Sequence, residues 1–416
     1  MRSPVRRVKI ELTPSRASGA SDNGFAGGLG SAIEQQIDAY IQRPEIGLEF
    51  DPFRETDAGR DEHIIDYLVD GDTFSPLWKR QHTVLYADPG AGKSAQRTRL
   101  AYLCRVGWDG RRILAVTLMA PNPRDVGLPA DQKQFTVEAL RAVAGSLLLQ
   151  ILYRPHEYLE RSSETQQKIV ALLRKDLVWD LSFVCDQVAD RGELVPVIRL
   201  VDPTARRLPA QPSAETLRSL CEQLKATQPS LEPPEEVLAR WRDWVELIIK
   251  DLQFEAIFLL VDGVDGYPET ANEPEKGADL VQPLVESDAL WRDLPVFVKL
   301  FVPASYREAL ERRSPVLLTE NCERVSISWK SEALIALLQQ RLRVASRGGF
   351  SSFDAITTPG LKRVEQQIVH ALRDPLPREA VRLAEALLIA HVRRRGPQGL
   401  LEPEDLEQAI AHEGRP

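Results

Sequence analysis

The chain has 416 residues, 43% of them hydrophobic and 27% charged, with a formal net charge of −8 at pH 7. That length exceeds one minimal core and fits a large domain with a smaller one, at a composition ordinary for a soluble globular protein. The acidic balance excludes a generally basic, nucleic-acid-coating chain and leaves only a local basic face for such a partner.

In chain order, residues 1 to about 30 are rich in Ser, Gly, Ala and Arg and predict a flexible arm. Helical periodicity begins near Ser31, whose hydroxyl is placed to cap Ile33–Ile41. After Asp51-Pro-Phe-Arg-Glu-Thr-Asp-Ala58 comes a helix with Ile64, Ile65, Tyr67 and Leu68 on one side. A strand from His82 then feeds a glycine-bearing loop and a helix over Lys93–Val106, and Arg111–Leu118 reads as a buried strand. Residues 131–250 are dominated by helical patterns, including Glu164–Ala189 and Glu235–Lys250. Between those two, Leu194–Asp202 is either a strand or a buried loop, Pro196 weakening the strand reading, and Arg206–Pro212 reads as a loop. Further strands are expected at Ala256–Asp262, Val296–Val302 and Arg324–Ser328. Helices then follow at Ser331–Ser346, Leu361–Arg373, Arg378–Arg395 and Pro403–His412. Strands separated by helices imply parallel βαβ units with helices on both sheet faces.

The scattered Cys104, Cys185, Cys221 and Cys322 form no CxxC pair, so reduced and mostly buried thiols are expected rather than zinc or disulfides. The basic N-terminus has no apolar run after it, which does not read as a signal peptide. The most apolar stretch, Ala139–Tyr153, contains Arg141 and Gln150 and is too short to cross a bilayer. A cytoplasmic location is expected, with no membrane partner. The Arg, Ala and Pro bias points to a GC-rich, bacterial source.

The chemistry concentrates in Ala87-Asp88-Pro89-Gly90-Ala91-Gly92-Lys93-Ser94-Ala95. A strand, a glycine-bearing loop and a helix N-terminus converge backbone N–H groups on an anion; Lys93 reaches the outer phosphates and the Ser94 hydroxyl ligates a magnesium ion. Ala87 stands where the strict G-x-x-x-x-G-K-[ST] pattern has its first glycine. Asp262, ending an apolar strand, fits the second carboxylate that holds the ion through water. No Asn-Lys-x-Asp guanine-reading sequence is present, so ATP is preferred by elimination.

Asp262-Gly-Val-Asp265 resembles the D-G-hydrophobic-D-E signature of STAND-type NTPases, the NACHT-like branch related to AAA+ proteins. Phe53-Arg-Glu-Thr-Asp-Ala58, Lys299-Leu-Phe-Val-Pro-Ala304 and Trp329-Lys-Ser-Glu-Ala-Leu334 are similar to segments of bacterial P-loop ATPases. The resemblance spans roughly residues 53 to 395. It implies a P-loop NTPase fold: a three-layer αβα parallel sheet over residues 49–328, with a mostly helical insertion at 131–250. Residues 1–48 would be an arm and short helix, and residues 329–416 a helical or winged-helix lid.

The resemblance also implies further roles, each beside a plainer one. The water-polarising glutamate that usually follows the strand aspartate is Gly263 here, and the later STAND-type glutamate is Gly266. Asp265 is then the remaining acidic candidate for water activation, or a turn residue. Ser305 or Arg307 would sense the outer phosphate, or cap a helix. Arg312 and Arg313 would form an arginine finger reaching a neighbouring subunit, or complement a helix dipole. Arg378, after Leu376-Pro377, is partly similar to a sensor-2 arginine folding back on the nucleotide, or lies on the surface. Arg393–Arg395 would touch DNA phosphates, or is a solvated helix end, which the overall acidity favours. A slow nucleotide-held switch fits better than a motor, with signalling or defence implied and a protein partner or separate effector chain. A homo-oligomer is compatible with this. The alternatives are a DNA-associated ATPase and a scaffold with a structural P-loop.

Overall fold

The computed structural model describes residues 26–67, 74–192, 194, 198, 211–229, 232–313, 316–319 and 321–413. Residues 1–25 of the arm expected to about residue 30, Leu68 of the expected lead-in helix, and most of the Leu194–Asp202 and Arg206–Pro212 stretches lie outside these. Leu194 and Ile198 are themselves buried.

Strands β1 (His82–Ala87), β2 (Ile113–Met119), β3 (Ala256–Asp262), β4 (Val296–Pro303) and β5 (Cys322–Ser326) form one sheet. Its order is β2-β3-β4-β1-β5 and every pairing is parallel. The runs of β1 to β4 are apolar on both sides because both faces are covered. Val84, Leu114, Ile257 and Val298 face one layer of helices, while Leu85, Ala115, Phe258 and Phe301 face the other. β5, at the edge, buries only Val325.

Among the described residues the helices of eight residues or more begin with α1 (Ala26–Ile41), α2 (Lys93–Val106), α3 (Gln132–Tyr153), α4 (Ser163–Asp176), α5 (Leu181–Arg191) and α6 (Ala214–Ala226). They continue as α7 (Val237–Glu246), α8 (Pro274–Val285), α9 (Ser331–Ala345), α10 (Val364–Ala371), α11 (Pro377–Arg395) and α12 (Pro403–Glu413). Helix α2 covers one face of the sheet, and α3 to α8 build the thick layer on the other. The result is an α/β fold with a five-stranded parallel sheet between helical layers.

Three expectations shift. Helix α1 begins at Ala26, five residues before Ser31, so Ser31 is not its N-cap. The Glu164–Ala189 pattern is two helices, the second capped by Asp180, whose side chain accepts from the Phe183 N–H. Helix α3 runs 22 residues and is long and apolar enough to cross a membrane by composition, so shortness is not what argues against a span. Its most apolar window is 78% buried inside the protein.

Lys299 on β4 occupies the α2 face, fully buried. Its ammonium donates to the Lys79 and Gln81 carbonyls at 2.8 Å each and to Thr83 Oγ1 at 3.1 Å, which ties the entry of β1 to β4. Burial pushes its pKa down to about 7. Burial, with Lys299 nearby, likewise lowers His82 to about 4, and its Nδ1 accepts from the Val298 N–H.

Residues 329–413 are helical, and their core is separate from those of the sheet. Leu334, Leu338, Leu342, Leu387 and Leu388 pack there with Ile37, Tyr40, Ile41 and Phe53. Helix α1 and residues 46–53 are thus built into this helical unit. A lone bridge, Thr357–Leu401, is its only strand-like pairing among the described residues.

Candidate functional site

Strand β1 ends at Ala87, and the chain turns through Asp88–Gly92 into α2. Gly90 and Gly92 have φ of +86° and +95°, a left-handed conformation that a side chain disfavours. At Gly90 there is a second reason: a Cβ would stand 3.0 Å from Cβ of Arg378. Gly92 is the N-cap of α2 and supplies no side-chain cap. The first-turn N–H groups, which no helix satisfies from within, therefore face outward beside Lys93 and Ser94.

These residues line a cavity of about 410 Å³ outside the carboxyl ends of the strands, where open parallel sheets place ligands. Pro89, Gly90, Gly92, Lys93, Ser94 and Ala95 form one wall; Asp262, the last residue of β3, with Gly263 and Asp265 forms the facing one. Ala87, Asp88 and Ala91 supply the loop between them without lining it. Of the expected site residues, the fold therefore brings the loop, both carboxylates and Arg378 to one place.

Two ion pairs cross the cavity. Lys93 Nζ donates to the Ala87 carbonyl at 3.0 Å and lies 3.7 Å from Oδ2 of Asp265. Arg97, four residues on and so on the same helix face, places Nε 2.8 Å from Oδ2 of Asp262. Oδ1 of Asp262 accepts from the Gly263 N–H at 2.8 Å. Arg97 and Asp262 are 2% and 3% exposed. Arg97 was not among the expected site residues; its spacing from Lys93 was the available signal.

Gly263 also has a structural reason. Its φ is +79°, and a Cβ there would lie 2.7 Å from Cε of Met119. A glutamate in that position would have to displace the flexible, exposed Met119 side chain and hold a left-handed backbone that side chains disfavour.

The magnesium expectation meets this arrangement directly. Ser94 and Asp262 share the cavity, but each Asp262 oxygen already accepts a hydrogen bond from the chain and its charge is met by a guanidinium. As placed, the Asp262 carboxylate is paired with Arg97 rather than open to an ion. Among the described residues no cluster of three or more His, Cys, Asp or Glu is arranged to hold a metal.

The C-terminal helical unit closes the cavity. The Trp329 indole donates to the Ala91 carbonyl at 2.9 Å, and the Arg378 N–H approaches the Gly90 carbonyl at 3.4 Å. Thr56, Asp57, Ala58 and Gly59 line the far end with Ile64, Leu337, Arg341 and Val381. Buried Arg341 anchors that segment, donating to the Pro52 carbonyl at 2.5 Å and to Asp61 at 3.1 Å, its guanidinium over the Tyr67 ring. Burial raises the Asp61 pKa and the Arg341 charge works against it.

The remaining candidates lie elsewhere. Ser305 and Arg307 do not line the cavity; Arg307 donates to Ser326 Oγ and lies over the Tyr86 ring. Arg312 is 2.9 Å from Glu275, and Arg313 is 2.6 Å from Asp279. In the basic run, Arg394 pairs with Asp405 and Glu402, and Arg395 with Glu402 at 3.0 Å. Carboxylates on the following segment thus neutralise two of the three charges. Burial works to raise Asp405, but hydrogen bonds from His391, Arg394 and the Glu402 N–H outweigh it and hold the carboxyl at about 2. This run is a structural joint between α11 and α12.

No protein-family model matches the chain, and no curated protein matches it.

Proposed function

We propose that the cavity binds a nucleoside triphosphate, ATP by preference, and that the chain is a slow nucleotide-dependent switch of the P-loop kind. The observation that carries this is the seating of the C-terminal helical unit on the Gly90–Gly92 loop through Trp329 and Arg378. An anion drawn to the N-terminus of α2 meets Lys93 and the Arg378 backbone within one space. Phosphates there compete with Ala87 and Asp265 for Lys93, so occupancy is felt by the loop on which the lid rests. The Thr56–Gly59 and Leu337 end of the cavity suits the base.

Slow turnover follows from the same geometry. Catalysis of phosphoryl transfer rests mainly on positioning and charge stabilisation. The place after Asp262 holds no side chain, and Asp265 is engaged by Lys93, which leaves water weakly activated. The helical layer α3 to α7 offers a surface for a protein partner or effector chain, which this reading requires for an output. The paired Arg394 and Arg395 lend no support to DNA contact.

The test is calorimetric titration with ATP, joined to hydrogen exchange of residues 377–395. Wild type is expected to bind, Lys93→Ala to bind at least about tenfold more weakly, and ATP to raise protection of α11. Equal protection with and without bound ATP would end the switch reading.

A further inference from the structure

Helix α2 presents two cations to the cavity and the end of β3 two carboxylates. The Lys93–Asp265 contact is long, at 3.7 Å, and Asp265 is partly exposed. Arg97–Asp262 is short and buried, and Nη1 of Arg97 is buried without a hydrogen-bond partner. A buried donor left unmet is costly, so its position calls for an acceptor. Arginine keeps its proton at any ordinary pH and matches phosphate oxygens with a planar fork of donors. A permanent positive charge thus stands against the carboxylate that was expected to serve a divalent ion.

We propose that Arg97 is the resident cation of the triphosphate site: its guanidinium takes the place of a divalent ion, and ATP binds largely without magnesium. This rests on the triphosphate reading above. Asp262 then holds and orients the guanidinium, using the oxygen that Gly263 leaves to it. A phosphate oxygen in the cavity that Arg97 lines draws the guanidinium round and supplies the acceptor that Nη1 lacks. Ser94 contributes a hydroxyl donor to the phosphates.

The experiment titrates ATP into the full chain in magnesium chloride and, separately, in EDTA. Wild-type dissociation constants are expected to agree within about threefold. Arg97→Met, which releases Asp262, is expected to lose about tenfold or more in EDTA and recover in magnesium, while Arg97→Lys keeps binding in both. Wild-type binding that weakens about tenfold or more in EDTA overturns the inference and leaves the triphosphate reading standing. Absence of ATP binding in both solutions overturns the two together. The wild-type pair of titrations decides the matter even if Arg97→Met does not fold.

Discussion

Nε1 of Trp329 lies 2.9 Å from the carbonyl oxygen of Ala91, and Cζ2 of the same indole is 3.9 Å from where a Cβ would stand on Gly92. The ring packs against the core of the C-terminal helices and also against the core beneath α2. One side chain therefore joins the loop, the sheet domain and the lid.

Trp329→Phe should weaken that joint. The hydrogen bond goes and part of the ring packing with it, costing about 1–3 kcal/mol together. Denaturant unfolding should show that loss. Hydrogen exchange should show α11 opening more readily, with its response to ATP reduced. Unchanged exchange in α11 would mean that the indole contact does not hold the lid.

The Arg97–Asp262 pair should behave as a buried ion pair. Asp262→Asn or Arg97→Met alone leaves one partner uncompensated and should cost about 3–5 kcal/mol in urea unfolding. The double change Arg97→Met with Asp262→Leu should recover most of that, because apolar groups of similar volume need no partner. Additive losses in the double variant would show that the two residues do not act as a pair.

Gly277, inside α8, is the site where helix propensity and packing oppose each other. Alanine gains about 1 kcal/mol in a helix interior. Its Cβ, however, would stand 2.0 Å from Cε2 of Tyr306, a buried ring whose hydroxyl donates to the Thr270 carbonyl. Crowding of that kind costs roughly 1–3 kcal/mol, so Gly277→Ala should lower the melting temperature. In a Tyr306→Leu background the same alanine should be neutral or stabilising.

What was legible in the sequence follows the punctuation. Helix α2 and strand β3 match their expected limits because each has clear ends: Gly92 and Gly107 flank the helix, and Asp262-Gly263 stops the strand. The edge strand β5 is displaced from its expected range, since a run with half-buried Glu323 and exposed Arg324 beside Val325 has little apolar signature. The loop, both carboxylates and Arg378 were readable as local patterns. Arg97 was not, because a helical arginine looks solvated until the sheet order brings Asp262, 165 positions away, against it. The role of Trp329 was hidden for the same reason: its partner is the backbone of a loop 238 residues earlier.

Glu385, on α11, gives the helical unit a pH dependence of stated sign. Burial, then the nearby Asp51 carboxylate, raises its pKa to about 7, with Arg54 opposing and Glu413 and Glu55 adding. The folded state therefore binds a proton more tightly than the unfolded chain. The associated stability is whole below the ordinary carboxyl pKa of about 4.5 and is lost as the pH rises through about 7. Glu385→Gln keeps the shape and never ionises. Its stability relative to wild type should be near zero at acid pH and grow between these two values. Above pH 7 the gain should level off at about 1–2 kcal/mol, solvent screening at this half-buried position holding it below the full value of the shift. Urea unfolding of both proteins across that range checks it, and a difference independent of pH would mean that Glu385 titrates normally.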